Sequence, residues 1–303
     1  MHPAELAILL HRALEVRLAR LQELLDLDRW AEDMETLHRV RVAARRLGAV
    51  LDLVDPEVYP GHKGQRRALK GLVETLGLPR ELDVHAEHLR AHHLEARTPT
   101  QAAVVEHLLE QIDHRRAKAR RAMAKQLERL RLPDLRRLLE VPALRNPFQP
   151  TTLQEATWAC LESRALTALA DLAALSAQEN PTAMHKVRIR IKKLRYAVEA
   201  LESAFAESPE NVLKELRDLQ TVLGDHHDLS ALEALLWEAE AQLRAQDRPT
   251  LCGGVLDLLG DVAEARRAAF DRFTVLAQGQ NPNTFAHTLR PALGLPPLDG
   301  SLA

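Results

Sequence analysis

Apolar residues recur along the chain at intervals of three and four, so that Leu6, Leu9, Leu10, Leu14, Leu18, Leu21 and Leu25 share one helical face. The same period returns in nearly every segment, and the strict alternation of a half-buried strand is absent. Prolines punctuate these runs at Pro56, Pro60, Pro79, Pro99, Pro133, Pro181, Pro209 and Pro249, each restricting the residue before it and marking a helix boundary. The pattern predicts an all-α chain whose helices run for about three to seven turns between short connections. Residues 133 to 150 hold four prolines (Pro133, Pro142, Pro147 and Pro150) and Asn146, the composition of an inter-domain linker.

Sliding the sequence by 147 positions lays one half on the other. His38, Val40, Arg41, Arg45, Arg46 and Leu47 then meet His185, Val187, Arg188, Lys192, Lys193 and Leu194, with identity or charge kept at every site. Leu69, Lys70, Leu72, Leu76, Gly77, Glu81 and Leu82 meet Leu216, Arg217, Leu219, Leu223, Gly224, Asp228 and Leu229. Any two amphipathic helices can be aligned by sliding, but here a histidine, the charges and a glycine coincide at one offset. The chain reads as an internal duplication with helical domains over 1–145 and 150–303.

Composition supports helices: hydrophobic residues are 46%, charged residues 28% and aromatics 3% of 303 residues. Cys160 and Cys252 form no CxxC and no spaced Cys/His set, so no disulfide framework or zinc site is expected, and no other cofactor or metal. An acid at Glu5 precedes any apolar run, and no stretch reaches the eighteen or so apolar residues of a membrane span, which predicts a cytoplasmic protein.

The net charge of −2 hides a segregation along the chain. Between Glu35 and Asp52 stand four arginines and a histidine with no acid; between Glu179 and Glu199 stand seven basic residues, counting His185, again with no acid. At 100° per residue His38, Arg41 and Arg45 lie within about 60° of one another, with Arg46 extending the stripe by about 80°. Val40, Ala43, Leu47, Val50 and Val54 take the opposite face. The second half repeats this with His185, Arg188, Lys192, Lys193 and Arg195 against Val187, Ile191, Leu194, Val198 and Leu201. A face made only for solubility mixes signs at i and i+4, whereas Arg41/Arg45 and Arg188/Lys192 accept a repulsion of a few tenths of a kcal/mol that a bound polyanion reverses. A second cationic row follows in Lys63, Arg66, Arg67 and Lys70, echoed less fully by Lys214 and Arg217.

These segments, His38-Arg39-Val40-Arg41 through Arg45-Arg46-Leu47 and His185-Lys186-Val187-Arg188 through Lys192-Lys193-Leu194-Arg195-Tyr196, resemble the CHAD family, the α-helical domain named for its histidines. Leu76-Gly77 with Arg80-Glu81-Leu82-Asp83-Val84, and Leu223-Gly224 with Asp228, extend the match over almost the whole chain. The resemblance implies two antiparallel four-helix bundles related by a pseudo-two-fold, a basic central groove and binding of inorganic polyphosphate. The expected contacts are His38, Arg39, Arg41, Arg45, Arg46, Lys70 and Arg80 in the first half, with His185, Lys186, Arg188, Lys192, Lys193, Arg195, Tyr196 and Arg217 in the second. Gly48 stands where the family usually has an arginine, the counterpart of Arg195, and Glu81 where it usually has Asp. The second half is therefore expected to dominate binding.

Plainer roles stand beside these. His38 and His185 face the ligand, hold a structural hydrogen bond or ligate a metal. His85, His88 and His92 share a face that reads as solvated, with metal ligation as the alternative. Gly77 and Gly224 read as helix C-caps and Asp83 or Asp228 as N-caps of the next helix; alternatively Glu81 and Asp228 orient Arg80 or Arg217. The cysteines read as small core residues.

No phosphate-cradling glycine loop, GxSxG, HExxH or paired magnesium-binding acids appear, and Glu238-Ala239-Glu240-Ala241-Gln242 only approaches the ExExK motif of the triphosphate enzymes often fused to this family. The expectation is a non-enzymatic binder of polyphosphate or a similar polyanion, with association to polyphosphate granules compatible with it and no membrane partner. Non-specific nucleic-acid binding and a helical protein-interaction scaffold are the alternatives. Single-strand binders line their track with stacking aromatics, and Tyr196 is the one aromatic within either basic helix.

Overall fold

The computed structural model describes residues 5–27, 30–55, 59, 61–94, 98–130 and 151–297, and every regular element among them is helical. The elements are α1 (Glu5–Leu25), α2 (Met34–Leu51), α3 (His62–Thr75), α4 (Gly77–Leu94), α5 (Pro99–Leu130), α6 (Leu153–Leu169), α7 (Leu172–Ala177), α8 (Pro181–Ala200), a 3₁₀ turn at Glu202–Ala204, α9 (Glu210–Ala245), α10 (Pro249–Ala277) and α11 (Pro282–Ala292). The linker read at 133–150, with Pro133, Pro142, Pro147 and Pro150, lies outside the described residues.

The helix starts follow from local chemistry. Asp33 caps α2 by accepting from the Thr36 N–H at 2.7 Å, Thr152 and Glu155 form a reciprocal capping box on α6, and Asn180 followed by Pro181 opens α8. Each side-chain cap satisfies a donor that the helix leaves orphaned, worth about 1 kcal/mol. Prolines 99, 181, 249 and 282 each begin a helix, where the missing N–H costs nothing.

Helix bounds recur at the sequence offset. α2 begins at Met34 and α8 at Pro181, 147 positions on. The stretch covered by α3 and α4 in the first half is one continuous helix, α9, in the second. Pro79 accounts for the difference: it has no N–H to give the Thr75 carbonyl, and the chain breaks at Leu76, whereas the corresponding His226 continues the helix.

This corrects the reading of the glycines as caps. Gly224 is buried well inside α9 and Gly77 opens α4, neither with the positive φ of a left-handed cap. Asp228 likewise lies within α9, and Asp83 is fully buried in α4, where Arg116 (3.4 Å) and Arg120 (3.6 Å) of α5 reach its carboxylate.

Two hydrophobic clusters form the core, and each draws on both halves of the chain. The larger joins Leu14, Leu21, Leu37 and Leu72 to Leu161, Ile191, Leu194 and Phe273. The smaller is built where α4 and α5 meet α9 and α10, around Leu89, Leu108, Ile112, Leu232, Leu236 and Val262. Helices α2 and α8 pack on each other in the larger cluster, with α1 behind α2 and α6 behind α8. The buried Nε2 of His62 lies 2.7 Å from the Leu51 carbonyl and ties the start of α3 to the end of α2.

Helix α10 packs tightly on α5 at Gly254, where an added Cβ would stand 2.7 Å from Val104 Cγ2 and 3.2 Å from the Thr100 carbonyl. Gly254→Ala is expected to lower stability by about 1–3 kcal/mol despite alanine's better helix propensity. Gly260→Ala, with open space around its Cβ, should stabilise by about 0.5–1 kcal/mol. Thermal melts of both variants check this, and a more stable Gly254→Ala protein would contradict the close packing.

Candidate polyanion-binding groove

Where α2 and α8 cross, their cationic faces converge. Arg41 and Arg45 from α2 and Arg188 and Lys192 from α8 are partly buried, and none has a carboxylate within ion-pair distance among the described residues. Their mutual repulsion leaves a signature in their acidity. Burial, then Arg45, Arg80 and Arg188, push the Arg41 guanidinium down to about 10. Burial, then Arg45, Arg188, Arg41 and Arg195, push Lys192 down to about 7. The Nε atoms of Arg41 and Arg188 are enclosed without a hydrogen-bond partner. Arg188 runs across the bare face of Gly224, whose added Cβ would meet its Nε at 3.6 Å.

Around this centre the outer cations are neutralised across the crossing. Arg46 of α2 faces Glu199 of α8 at 3.9 Å, and Lys193 of α8 faces Asp52 of α2 at 3.6 Å. The two pairs exchange partners between the same sequence-equivalent positions.

A groove of about 940 Å³ opens beside the crossing, walled by α2, α3 and α8. Arg45, Arg188, Lys192 and Lys193 line it from the crossing helices, and Lys63, Arg66, Arg67 and Lys70 from α3. Its one acid is Asp52, bridged to Arg66 at 2.8 Å. Two smaller basic hollows flank it: about 610 Å³ against α1, with Arg17, Arg20, His38, Arg39 and Arg46, and about 350 Å³ against α6, with Arg66, Arg164, Arg190 and Lys193.

The residues read from the sequence divide accordingly. Arg45, Lys70, His185, Arg188, Lys192, Lys193 and Tyr196 line the main groove. His38, Arg39 and Arg46 line the hollow against α1. Arg80 pairs with Glu87 at 3.2 Å beside His38, and Lys186 is exposed. Arg217 pairs with Glu210 outside the groove, so neither it nor Arg80 is held by Glu81 or Asp228. Arg195 is only 7% exposed, bonded to Glu199 and to Gln220 Oε1 (2.9 Å), and stacked 4.6 Å over Tyr196. It is absent from the groove lining, which removes Arg195 as a ground for expecting the second half to dominate.

The histidines are more connected than the sequence indicated. His185 Nδ1 lies 3.1 Å from His227 Nδ1, with ring centroids 4.2 Å apart. Such a contact needs one ring to donate and the other to accept, and it is lost if both protonate. Burial, then His185, Arg188, His226 and His85, push His227 down to about 4; burial and Arg188 lower His185, and burial and Arg80 lower His38. In all three the shift is downward, so the free protein protonates them at lower pH than an ordinary imidazole. His227 stands at the offset position of Arg80, the signal by which it could have been found. Behind it the His226 Nε2 bonds Glu179 (2.7 Å), which also receives Arg266 (2.8 Å).

The solvated reading of the histidine face fails at His85, which is buried, its pKa lowered by that burial; the side chain of His92 lies outside the described residues. No group of side chains able to hold a metal occurs among the described residues. Burial raises the Cys160 thiol, as suits a packed cysteine.

Comparison with known proteins finds the family model described as CHAD domain matching residues 12–237. PptA from Streptomyces chartreusis shares the fold, with a TM-score of 0.69, 22% identity, and coverage of 91% of this chain and 100% of that one. The crystal structure of the CHAD domain from the plant Ricinus communis matches with a TM-score of 0.61 and 25% identity over 89% of this chain and 92% of its own. No curated protein sequence matches.

The crowded centre predicts an inverted pH response in the ligand-free protein. Lys192 titrates near 7 when folded and near 10.5 when unfolded, so between these values the unfolded chain binds more protons and stability rises with pH. Lys192→Met should remove most of this rise and stabilise the protein at pH 7. Denaturant melts from pH 7 to 10 check it, and a flat or falling wild-type profile would contradict the buried repulsion.

Proposed function

Because the chain belongs to the CHAD domain family, we propose that it binds inorganic polyphosphate, or a similar phosphate-rich polyanion, without transforming it. The observation that carries this reading is the set of four partly buried, carboxylate-free cations, Arg41, Arg45, Arg188 and Lys192, of which Arg45, Arg188 and Lys192 line the cationic groove and Arg41 stands behind them. Bringing like charges together in a partly desolvated place costs folding free energy, and a ligand carrying closely spaced negative charges offsets that cost while the arginines offer paired donors to phosphate oxygens.

The organisation proposed with it is an internal duplication in two helical repeats, 1–145 and 150–303, joined by a pseudo-two-fold through the α2–α8 crossing. The recurrence of helix bounds at the offset and the exchanged pairs Arg46–Glu199 and Lys193–Asp52 support it. A cytoplasmic, non-enzymatic protein remains the proposal; among the described residues no helix is long and apolar enough to cross a membrane.

Nucleic acid is the competing ligand, since any basic groove attracts phosphates. Tyr196 weighs against it: the ring is 6% exposed and has Arg46, Lys192 and Arg195 within 4.6 to 5.9 Å, so it offers no free face for stacking a base.

Polyphosphate should bind more tightly than single-stranded RNA of equal charge, and the affinity should fall steeply with salt as counterions are released. Arg41→Ala with Arg45→Ala, and Arg188→Ala with Lys192→Ala, should each weaken binding by about ten- to a hundredfold, to similar extents because both pairs contribute to one centre. Titrations at several salt concentrations measure this. Equal affinity for RNA, or no loss in either double variant, would remove the reading.

A further inference from the structure

The main groove opens on the α3 flank of the crossing, whereas the smaller hollow against α1 carries Glu199 and Glu202 beside its cations. On α3 the residues Lys63, Arg66, Arg67 and Lys70 set like charges at i and i+4 along the wall, an arrangement that weakens an isolated helix. Lys63 and Arg67 are exposed and make no ion pair among the described residues. At the offset positions of α9 the corresponding cations are occupied: Lys214 pairs with Asp218 at 2.9 Å, Arg217 pairs with Glu210, and Glu210 stands where Lys63 would be. The same asymmetry holds beneath the rows. Gly48 leaves open space at the groove floor, whereas its counterpart Arg195 is buried and held by Glu199 and Gln220.

We propose that the α3 wall is an extension subsite, which a linear phosphate polymer enters after its first units occupy the α2–α8 centre, so that the protein selects long chains over short ones and threads them toward one flank. This rests on the polyanion reading of the centre. A tripolyphosphate satisfies the central cations and stops there, whereas a longer chain continues along the groove past Arg45 and Lys192 to Lys63 and Arg67. Asp52 marks the edge of the subsite, where it occupies Arg66 and Lys193 (2.8 and 3.6 Å) that would otherwise face the ligand.

The test compares inorganic tripolyphosphate with long-chain polyphosphate at fixed salt, on the full chain. Lys63→Ala with Arg67→Ala should lower long-chain affinity about tenfold and tripolyphosphate affinity less than about twofold. Lys214→Ala with Arg217→Ala removes the same charge from the other flank and should leave the ratio of the two affinities at its wild-type value, which separates a local subsite from a general field. Lys63→Arg with Arg67→Lys keeps both charges and should retain the wild-type ratio. Asp52→Asn should raise long-chain affinity more than tripolyphosphate affinity. Equal fractional losses for both ligands in the α3 variant, or the same change of ratio in the α9 variant, overturns the subsite while leaving central binding intact. Wild-type protein that binds neither phosphate ligand removes the function itself.

Discussion

The repulsion among Arg41, Arg45, Arg188 and Lys192 is the constraint that the surrounding structure has to meet. Like charges one helical turn apart cost a few tenths of a kcal/mol on an exposed face and more where water is partly excluded. What holds them is the apolar side of the same two helices. Val40, Leu47 and Val50 of α2, and Val187, Ile191 and Leu194 of α8, are at most 3% exposed. Burying each contributes about 1.5–3 kcal/mol relative to leaving it in water. Burial of these six side chains opposes the repulsion and holds the two helices together with their charges facing one another.

The placement of acids then follows a gradient from centre to rim. At the centre the described residues offer no carboxylate within pairing distance; one turn out, Glu199 and Asp52 take up Arg46, Arg195, Lys193 and Arg66; beyond these Glu87, Glu74 and Glu210 take up Arg80, Lys70 and Arg217. The exposed pairs among these add at most about 1 kcal/mol each to stability. Their larger effect is to keep the peripheral cations from adding to the field at the centre and to orient the helices, since Arg46–Glu199 and Lys193–Asp52 both span the crossing. Uncompensated charge is therefore left at the crossing and on α3, where Lys63 and Arg67 make no ion pair among the described residues.

The sequence carried the parts of this arrangement that depend on one helix at a time. Period and offset placed His38 and His185 on corresponding basic faces and assigned Val40, Leu47, Val187, Ile191 and Leu194 to the core, because both are properties of a single helix with a fixed 100° step. Contacts between helices were not legible in the same way. Nothing local joins His185 to His227, forty-two residues away, or places His85 against α9. The glycines misled because a glycine near a helix end usually serves the backbone; here Gly224 instead leaves room for Arg188 on a neighbouring helix. Arg195 was the readable exception. Glu199 lies one turn beyond it, the spacing of an intrahelical ion pair, and that pairing turns its guanidinium away from the groove.

The positions of Gly48 and Arg195, which correspond at the sequence offset, differ in how they bear on the groove. In the sequence the glycine looks like a loss, a binding cation missing from one repeat. In the fold, the arginine at the equivalent position is buried and occupied, so its contribution is to packing: with Glu199, Gln220 and the Tyr196 ring it closes the flank of the crossing that faces α9. Glycine on the other flank has no side chain to close with, and the space beside it is the floor of the groove below α3. A side chain of arginine's volume at position 48 would occupy that floor and need its own carboxylate and amide to be held there; position 52 already carries Asp52, which is engaged with Arg66 and Lys193. With no side chain at position 48 the groove opens beside the α3 row, in which Lys63 and Arg67 make no ion pair among the described residues, and the asymmetry between the two halves is one of where the groove opens.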